Sequence, residues 1–446
     1  MTRIGKNQWY RRKNIKNFAK QYSFINSFIS ATIAALVFLL LLWKINLPIF
    51  IALIIFISAI NILNWRYWIL LFWFMLLFSI AFLAFKWIIN SYDNVKINAK
   101  INIIRIFDNS IIAKYKNLKL LINNIRIKND AFFKYKIFVD GKISLIKNLS
   151  SFNLSQGTFL QLIIDKNNYV IEKIPIINFG YHHSIVKKYL FLILLNVYDG
   201  KDPTIMKLKE LNIFHYFTVS GFHFGLIFLT INYVMKKHRI SYFIAIFLLL
   251  IYLIILNFPI SATRAFIFIF IYSINKLYLK NKISNLAILS MTALITTLFN
   301  ISNIFSFAFI LSYGITMIIF ISIELFTFIK REWLKNLLIL FVAYIFSTLI
   351  SISINDRINI LGFIYQLLFL PIAIISYCFS LFFWWTNYLT YYYFIFLEAF
   401  INFIHRGVYM INVIKLPFLA IILSFVFYEI YELKLLIKKW KHLISH

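Results

Sequence analysis

The sequence is poor in the residues on which many enzymes and secreted domains depend. Its one cysteine, Cys378, lies within an apolar run, so neither a disulfide framework nor a cysteine-based metal site can form within one chain. A packed core thiol is the plain reading. Glycine and proline are scarce, at ten and six in 446 residues, and 15 acidic residues face 46 Lys and Arg. There is no Walker A loop, G-x-S-x-G elbow, H-E-x-x-H helix or H-x-H-x-D-H motif, and of eight histidines only His182 and His183 are adjacent. These absences leave no basis for an enzyme, a cofactor or a metal centre, and no catalytic residue is assigned.

What is present is apolar length. The chain is 62% hydrophobic, and several runs exceed the ~18 residues that cross a bilayer, which excludes a water-soluble fold. The 51 Phe, and the use of Lys, Asn and Ile over Arg, Gln and Leu, read as codon bias from an AT-rich genome. Apolar runs near 24–42, 47–63 and 67–89 precede about ninety polar residues. Further runs lie near 211–234, 240–257, 259–278, 283–300, 304–329, 334–354, 358–383, 388–404 and 416–436, predicting about twelve spans. The first run has no small-residue cleavage site behind it and reads as a retained helix. Run 189–198 is too short to span and is expected at the interface or as a re-entrant segment.

Lys and Arg near span ends stay on the cytoplasmic side. Arg11-Arg12-Lys13 therefore sets the N-terminus inside, and alternation then puts Lys236 to Arg239, Lys280 with Lys282, Lys330-Arg331 with Lys335, and Lys438-Lys439 inside as well. Residues 90–180 are then extracytoplasmic. They alternate with period two over Val95 to Ile103, which reads as a strand. Asp140-Gly141 predicts a hairpin turn, and Lys166-Asn167-Asn168 a second one. A small β-barrel or sandwich fits this length. With fourteen Lys or Arg against six Asp or Glu, the domain carries a net +8 that the topology rule does not demand. Lys114, Tyr115, Lys116, Lys119, Lys134, Tyr135 and Lys136, with Phe132, Phe133 and Phe138 nearby, suit stacking plus phosphate attraction for a single nucleic-acid strand. A basic surface near anionic lipid fits the same composition.

Two membrane segments depart from the lipid-facing norm. In Leu211 to Leu226, two histidines (His215, His223), a Ser220-Gly221 step and the Gly221/Gly225 pair fall within one predicted span. Polar groups at that depth face a pathway or a neighbouring helix, and the two readings look alike in sequence. The eight-residue separation of the histidines, with no third ligand, disfavours metal. In Asn257 to Ala265, Pro259 breaks the helix and Arg264 follows inside the next span, where it needs a partner, a wet cavity or room to snorkel, and can offer a bidentate site to phosphate. Other polar content is thin: Glu324, Asp356 with Arg357 as an exposed loop pair, Gln366, Glu398 and Tyr391-Tyr392-Tyr393.

The stretch H-Y-F-T-V-S-G-F-H-F-G-L from His215 to Leu226 closely resembles the signature of the ComEC family of DNA-uptake channels. Ser261-Ala262-Thr263-Arg264-Ala265, Phe305 to Gly314 and Gln366 to Pro371 are similar to three further family pieces in the same order, and the resemblance covers nearly the whole chain. It implies an α-helical polytopic membrane protein with an inserted OB-like β domain, divided as a three-helix membrane module (1–89), the β domain (90–180), a channel domain (181–437) and a basic cytoplasmic tail (438–446). It implies passage of single-stranded DNA across the bacterial cytoplasmic membrane during natural transformation, with an outer DNA receptor and a cytosolic motor ATPase as partners and a homo-oligomer open. His215, Ser220, Gly221, His223, Gly225, Arg264 and Gln366 would line the path. Two departures stand out: Asn257 replaces a glycine frequent in relatives, and the C-terminal metallo-β-lactamase-like domain of longer members is absent, so strand degradation would need another protein. Import of nucleotides or nucleic-acid fragments, and a membrane scaffold without transport, are the alternatives.

Overall fold

Apolar runs without internal glycine or proline favour helix, and the computed structural model of the chain bears this out. It describes residues 27–39, 65–106, 109–127 except 117 and 126, 133–146, 156–175, 183–352 except 237, and 357–413, with isolated positions at 54, 58, 153, 423, 426–428, 430, 431 and 434. The N-terminal basic cluster, most of the expected spans at 47–63 and 416–436, and the basic tail lie outside these residues. The helices are α1 (Ser27–Leu39), α2 (Trp65–Ser91), α3 (Ser184–Leu195), α4 (Pro203–Glu210), α5 (Phe214–Phe217), α6 (Gly221–Val234), α7 (Arg239–Ile255), α8 (Ile260–Leu277), α9 (Asn285–Phe299), α10 (Phe307–Leu325), α11 (Glu332–Ile352), α12 (Gly362–Phe383) and α13 (Asn387–His405). Among the described residues five helices are long and apolar enough to cross a membrane, namely α2, α8, α10 with the turn after it, α11 and α12; α1, α6, α7 and α9 are apolar but shorter. The most exposed apolar surface is on α2, where Trp65, Phe72, Trp73, Leu83 and Trp87 point outward, as a lipid-facing helix requires.

Between α2 and α3 lie β1 (Lys96–Ile106), β2 (Ser110–Tyr115), β3 (Leu118–Asn123), β4 (Phe133–Leu145) and β5 (Leu160–Pro175). They form a small closed barrel in the order β1-β2-β3-β5-β4, antiparallel except for β3 with β5. The alternation seen in sequence sets its inside: Ile97 and Ile101 are buried with Ile111, Ala113, Leu120, Ile122, Ile137, Val139, Ile143 and Leu162, while Lys96, Asn98, Lys100 and Asn102 are exposed. Lys100 pairs with Glu172 across the outer surface, and its hydrogen bond holds that carboxyl below the usual carboxylate range.

Both expected hairpin turns are corrected. β4 runs straight through Asp140-Gly141, and β5 runs straight through residues 165–168. The pairing steps from Val139↔Tyr169 to Gly141↔Ile164, so four β5 residues bulge against one on β4. Gly141 is needed there for proximity, since a Cβ would lie 2.5 Å from the Ile163 carbonyl oxygen. The Asp-Gly pair marks a bulge.

Apolar packing falls into three clusters. The largest joins α1, α2, the barrel interior, α9 and α10; the second joins α3, α4, α5, α12 and α13; the third joins α6, α7 and α8. The barrel sits against the C-terminal end of α9: Phe159 meets Phe85 of α2 edge-on at 5.4 Å, and Gly157, at φ +67°, lies against Ser302. Lys236 with Arg239, Lys280 with Lys282, and Lys330-Arg331 fall at the α6–α7, α8–α9 and α10–α11 junctions, whereas the barrel meets the junction between α9 and α10. Most of run 189–198 falls in α3, whose Tyr189, Leu190, Leu192 and Ile193 are buried in the second cluster.

Candidate functional site

The expected single span over 211–234 is also corrected. Following α4, the segment is a turn with Asn212 at φ 60°, the single turn α5, an extended passage through Thr218 and Ser220, and then α6. The residues explain the break. Thr218 and Val219 are β-branched, Ser220 is a favoured N-cap, and Ser220 and His223 form a capping box in which histidine stands where Glu or Gln usually does. The Ser220 N–H donates to His223 Nδ1 at 3.0 Å, so Nδ1 carries no proton and the proton of the neutral ring is on Nε2. That Nε2 is buried, has no hydrogen-bond partner among the described residues, and the ring packs edge-on against Tyr377 at 4.3 Å.

The break coincides with a seam. Leu211, Ile213 and Phe217 belong to the second cluster, whereas Val219, Phe224 and Phe228 belong to the third. Polar side chains hold the near half: Gln366 of α12 donates to the Asn212 carbonyl at 3.0 Å, and Asn359 to the Glu210 carbonyl at 2.9 Å, satisfying orphan carbonyls past α4. Asn359 lies in β6 (Arg357–Asn359), which pairs with β7 (Met410–Asn412). Arg357, read as part of a loop ion pair, is therefore a strand residue; Asp356 lies outside the described residues.

Arg264 stands on the other side of the break, between the third cluster and α10 of the first. It stands in the second turn of α8, and its guanidinium donates to the Ser312 carbonyl at 2.5 Å and to Thr316 Oγ1, both on α10. A Cβ at Gly221 would overlap Arg264 Nη2, so the first residue of α6 and the guanidinium are in close contact. No carboxylate reaches Arg264 among the described residues. The half-helix N-terminus and the arginine thus place positive potential side by side, an arrangement suited to an anionic group. The helix break before α8 forms with asparagine in the left-handed region, Asn257 at φ 61°, so no glycine is required there.

The remaining sequence candidates divide. Gly225 has nothing within 4 Å of a Cβ, so it faces open space and makes no tight helix contact. His215 is exposed on α5 against Tyr216 and makes no contact with His223. On the barrel, Lys114 and Lys116 are exposed, Lys136 and Tyr115 are half-buried, and Lys119 donates to the Gln156 carbonyl at 2.8 Å. Tyr135 is only 3% exposed, so its ring is packed, not presented. Of Lys134, Phe132 and Phe133 no side chain is described. No group of residues suited to hold a metal ion occurs among the described residues.

Comparison with known proteins bears on this segment directly, because the family described as Competence protein matches residues 201–441. The chain belongs to that family. The match includes the broken segment, Arg264, Gln366 and the helices that carry them. This competence-family chain is 29% identical over 222 residues to the uncharacterized protein MG316 of Mycoplasma genitalium, covering 49% of this chain and 57% of that one. It is 26% identical over 212 residues to the MG316 homolog of Mycoplasma pneumoniae, covering 46% and 54%. The similarity thus spans about half the length of these relatives. No solved structure matches it.

One feature of the competence region was not legible as a site. α4 runs beside α13 in three matched steps: Thr204 Oγ1 donates to Glu398 at 2.7 Å, Lys207 Nζ to Asn402 at 2.7 Å, and His405 Nε2 lies 2.5 Å from Glu210. Lys188 of α3 joins the first step, donating to Thr204 at 2.9 Å and Glu398 at 3.0 Å. Asp202 caps the start of α4 through the Thr204 and Ile205 N–H groups. The Asp-Pro-Thr at 202–204 announces a helix start; the pairing with residues two hundred positions away leaves no local trace.

Proposed function

We propose that this protein is a conduit for single-stranded DNA across the cytoplasmic membrane, acting in DNA uptake during transformation. The observation that carries this reading is the break between Thr218 and Ser220, where the N-terminus of α6 meets a guanidinium with no carboxylate partner at the seam between packed clusters. A strand carries one phosphate per nucleotide, and a half-helix N-terminus beside Arg264 offers each passing phosphate a favourable contact with no fixed counter-ion to displace. Gly225, one turn further along α6, leaves the strand room.

In this reading the barrel is extracytoplasmic and OB-like, a class whose five-stranded barrels bind oligonucleotides, and twelve spans place both termini inside. Alternating spans would set the basic α6–α7, α8–α9 and α10–α11 junctions opposite the α9–α10 junction that meets the barrel, which supports that orientation. The chain does no chemistry on DNA; a separate receptor delivers the strand and a separate motor pulls it. The test is uptake of labelled DNA by cells carrying a deletion of the gene, restored with wild type, Arg264→Gln or Arg264→Lys. Wild type should restore uptake, Gln should not, and Lys should restore part of it. Uptake unaffected by deletion overturns the proposal, and so does full rescue by Arg264→Gln at equal protein level.

A further inference from the structure

The barrel carries one outward face that the sequence reading touched only at Lys114, Lys136 and Phe138. Register places Lys96 of β1 opposite Lys142 of β4, and Lys142 opposite Ile163 of β5; further along, Lys100 lies opposite Phe138, and Phe138 opposite Val170; then Asn102 lies opposite both Lys136 of β4 and Lys114 of β2. Ile163 is 52%, Phe138 47% and Val170 67% exposed, large values for apolar side chains on a closed barrel. Five lysines surround them, against Asp140 and Glu172. Successive outward positions along β1 repeat every ~6.6 Å, the rise of two residues.

This combination narrows the occupant. A second copy of the chain would set lysines against lysines, so self-association through this face is opposed. An anionic partner is matched in charge. A bilayer surface could meet the row nearest α2, that of Lys96, Lys142 and Ile163, whereas the rows at Phe138 and Lys136 lie progressively further along the strands from the end of α2. A linear polyanion can engage all three. We propose that the outer face of β1, β4 and β5 is the track on which a single nucleic-acid strand lies, with phosphates on Lys96, Lys136 and Lys142 and a base against Phe138. This rests on the conduit reading, and it relocates capture away from Tyr135, which is packed, and Lys119, which is tied to Gln156.

The full-length protein in nanodiscs of zwitterionic lipid, titrated with fluorescent oligothymidylate over a range of salt, tests it. Wild type should bind with a steep salt dependence. Phe138→Ala should weaken binding about tenfold, in line with loss of one stacked base. The triple change Lys96→Gln, Lys136→Gln and Lys142→Gln should lower the slope of log affinity against log salt by about 2, at about 0.7 per phosphate contact. Both variants binding as wild type does would overturn the track while leaving the conduit standing; no wild-type binding at low salt would remove the conduit reading itself. Hydrogen exchange separates the remaining source: protection of 96–102 and 136–142 by anionic lipid in the disc, and not by the oligonucleotide, assigns the face to the bilayer and overturns the proposal.

Discussion

Gly221 and Gly225 are four residues apart on one helix, yet their surroundings are opposite. A methyl at Gly221 collides with Arg264, whereas one at Gly225 meets nothing within 4 Å. Gly221→Ala is therefore expected to cost about 1–3 kcal/mol through overpacking and to impair uptake, while Gly225→Ala keeps the melting temperature of the purified protein. Thermal unfolding of both variants in detergent checks the contrast. At His223 the requirement is an acceptor for the Ser220 N–H. His223→Ala should lose about 0.5–2 kcal/mol, the usual range for a lost cap, and His223→Asn should recover part of it. Glu172 gives a pH dependence with a definite sign. Its carboxyl is held down by Lys100, so the pair stabilises the barrel above the ordinary value of 4.5 and loses that contribution as pH falls through the lowered value. Protonation frees Lys100 on the proposed track, so oligothymidylate binding should strengthen at acid pH in wild type and lose that rise in Glu172→Gln.

At the level of elements, legibility followed the range of the interaction. Strand alternation in Val95 to Ile103 and the long apolar helices α2, α10, α11 and α12 showed in sequence, because burial of one face or of a whole span repeats locally. The Asp-Gly turn failed because Gly141 answers to Ile163 across the sheet and not to a positive φ, and the Lys-Asn-Asn stretch falls in the bulge opposite Asp140. The break within 211–234 was legible in principle from Ser220 followed three residues later by His223, a capping box with an unusual third residue. The α4–α13 steps were not, since Glu398, Asn402 and His405 have no meaning until α4 lies beside them. Glu398→Gln should destabilise the protein by about 1–3 kcal/mol by weakening the hold on half-buried Lys188, and a cycle with Thr204→Val should show coupling of about 0.5–3 kcal/mol. Additive losses in that cycle would mean that the two side chains act separately.

For the whole molecule, the barrel matters through how it is seated. Gly157, at φ +67° against Ser302, joins the barrel to the junction between α9 and α10, and Phe85 with Phe159 extends the same apolar cluster across it. Gly157→Ala adds both backbone strain and a clash, and should raise hydrogen exchange in 156–160 while leaving the interior strands protected. The three steps between α4 and α13 also have a consequence for heredity. Their partners are encoded far apart, at 204, 207 and 210 and at 398, 402 and 405, and they meet only in one parallel register. A recombinant gene joining the first half of one relative to the second half of another would carry mismatched partners wherever the two parents differ at these positions. Surviving chimaeras of parents that differ there should be those whose crossover falls before residue 204 or after residue 405, or those that changed both sides together.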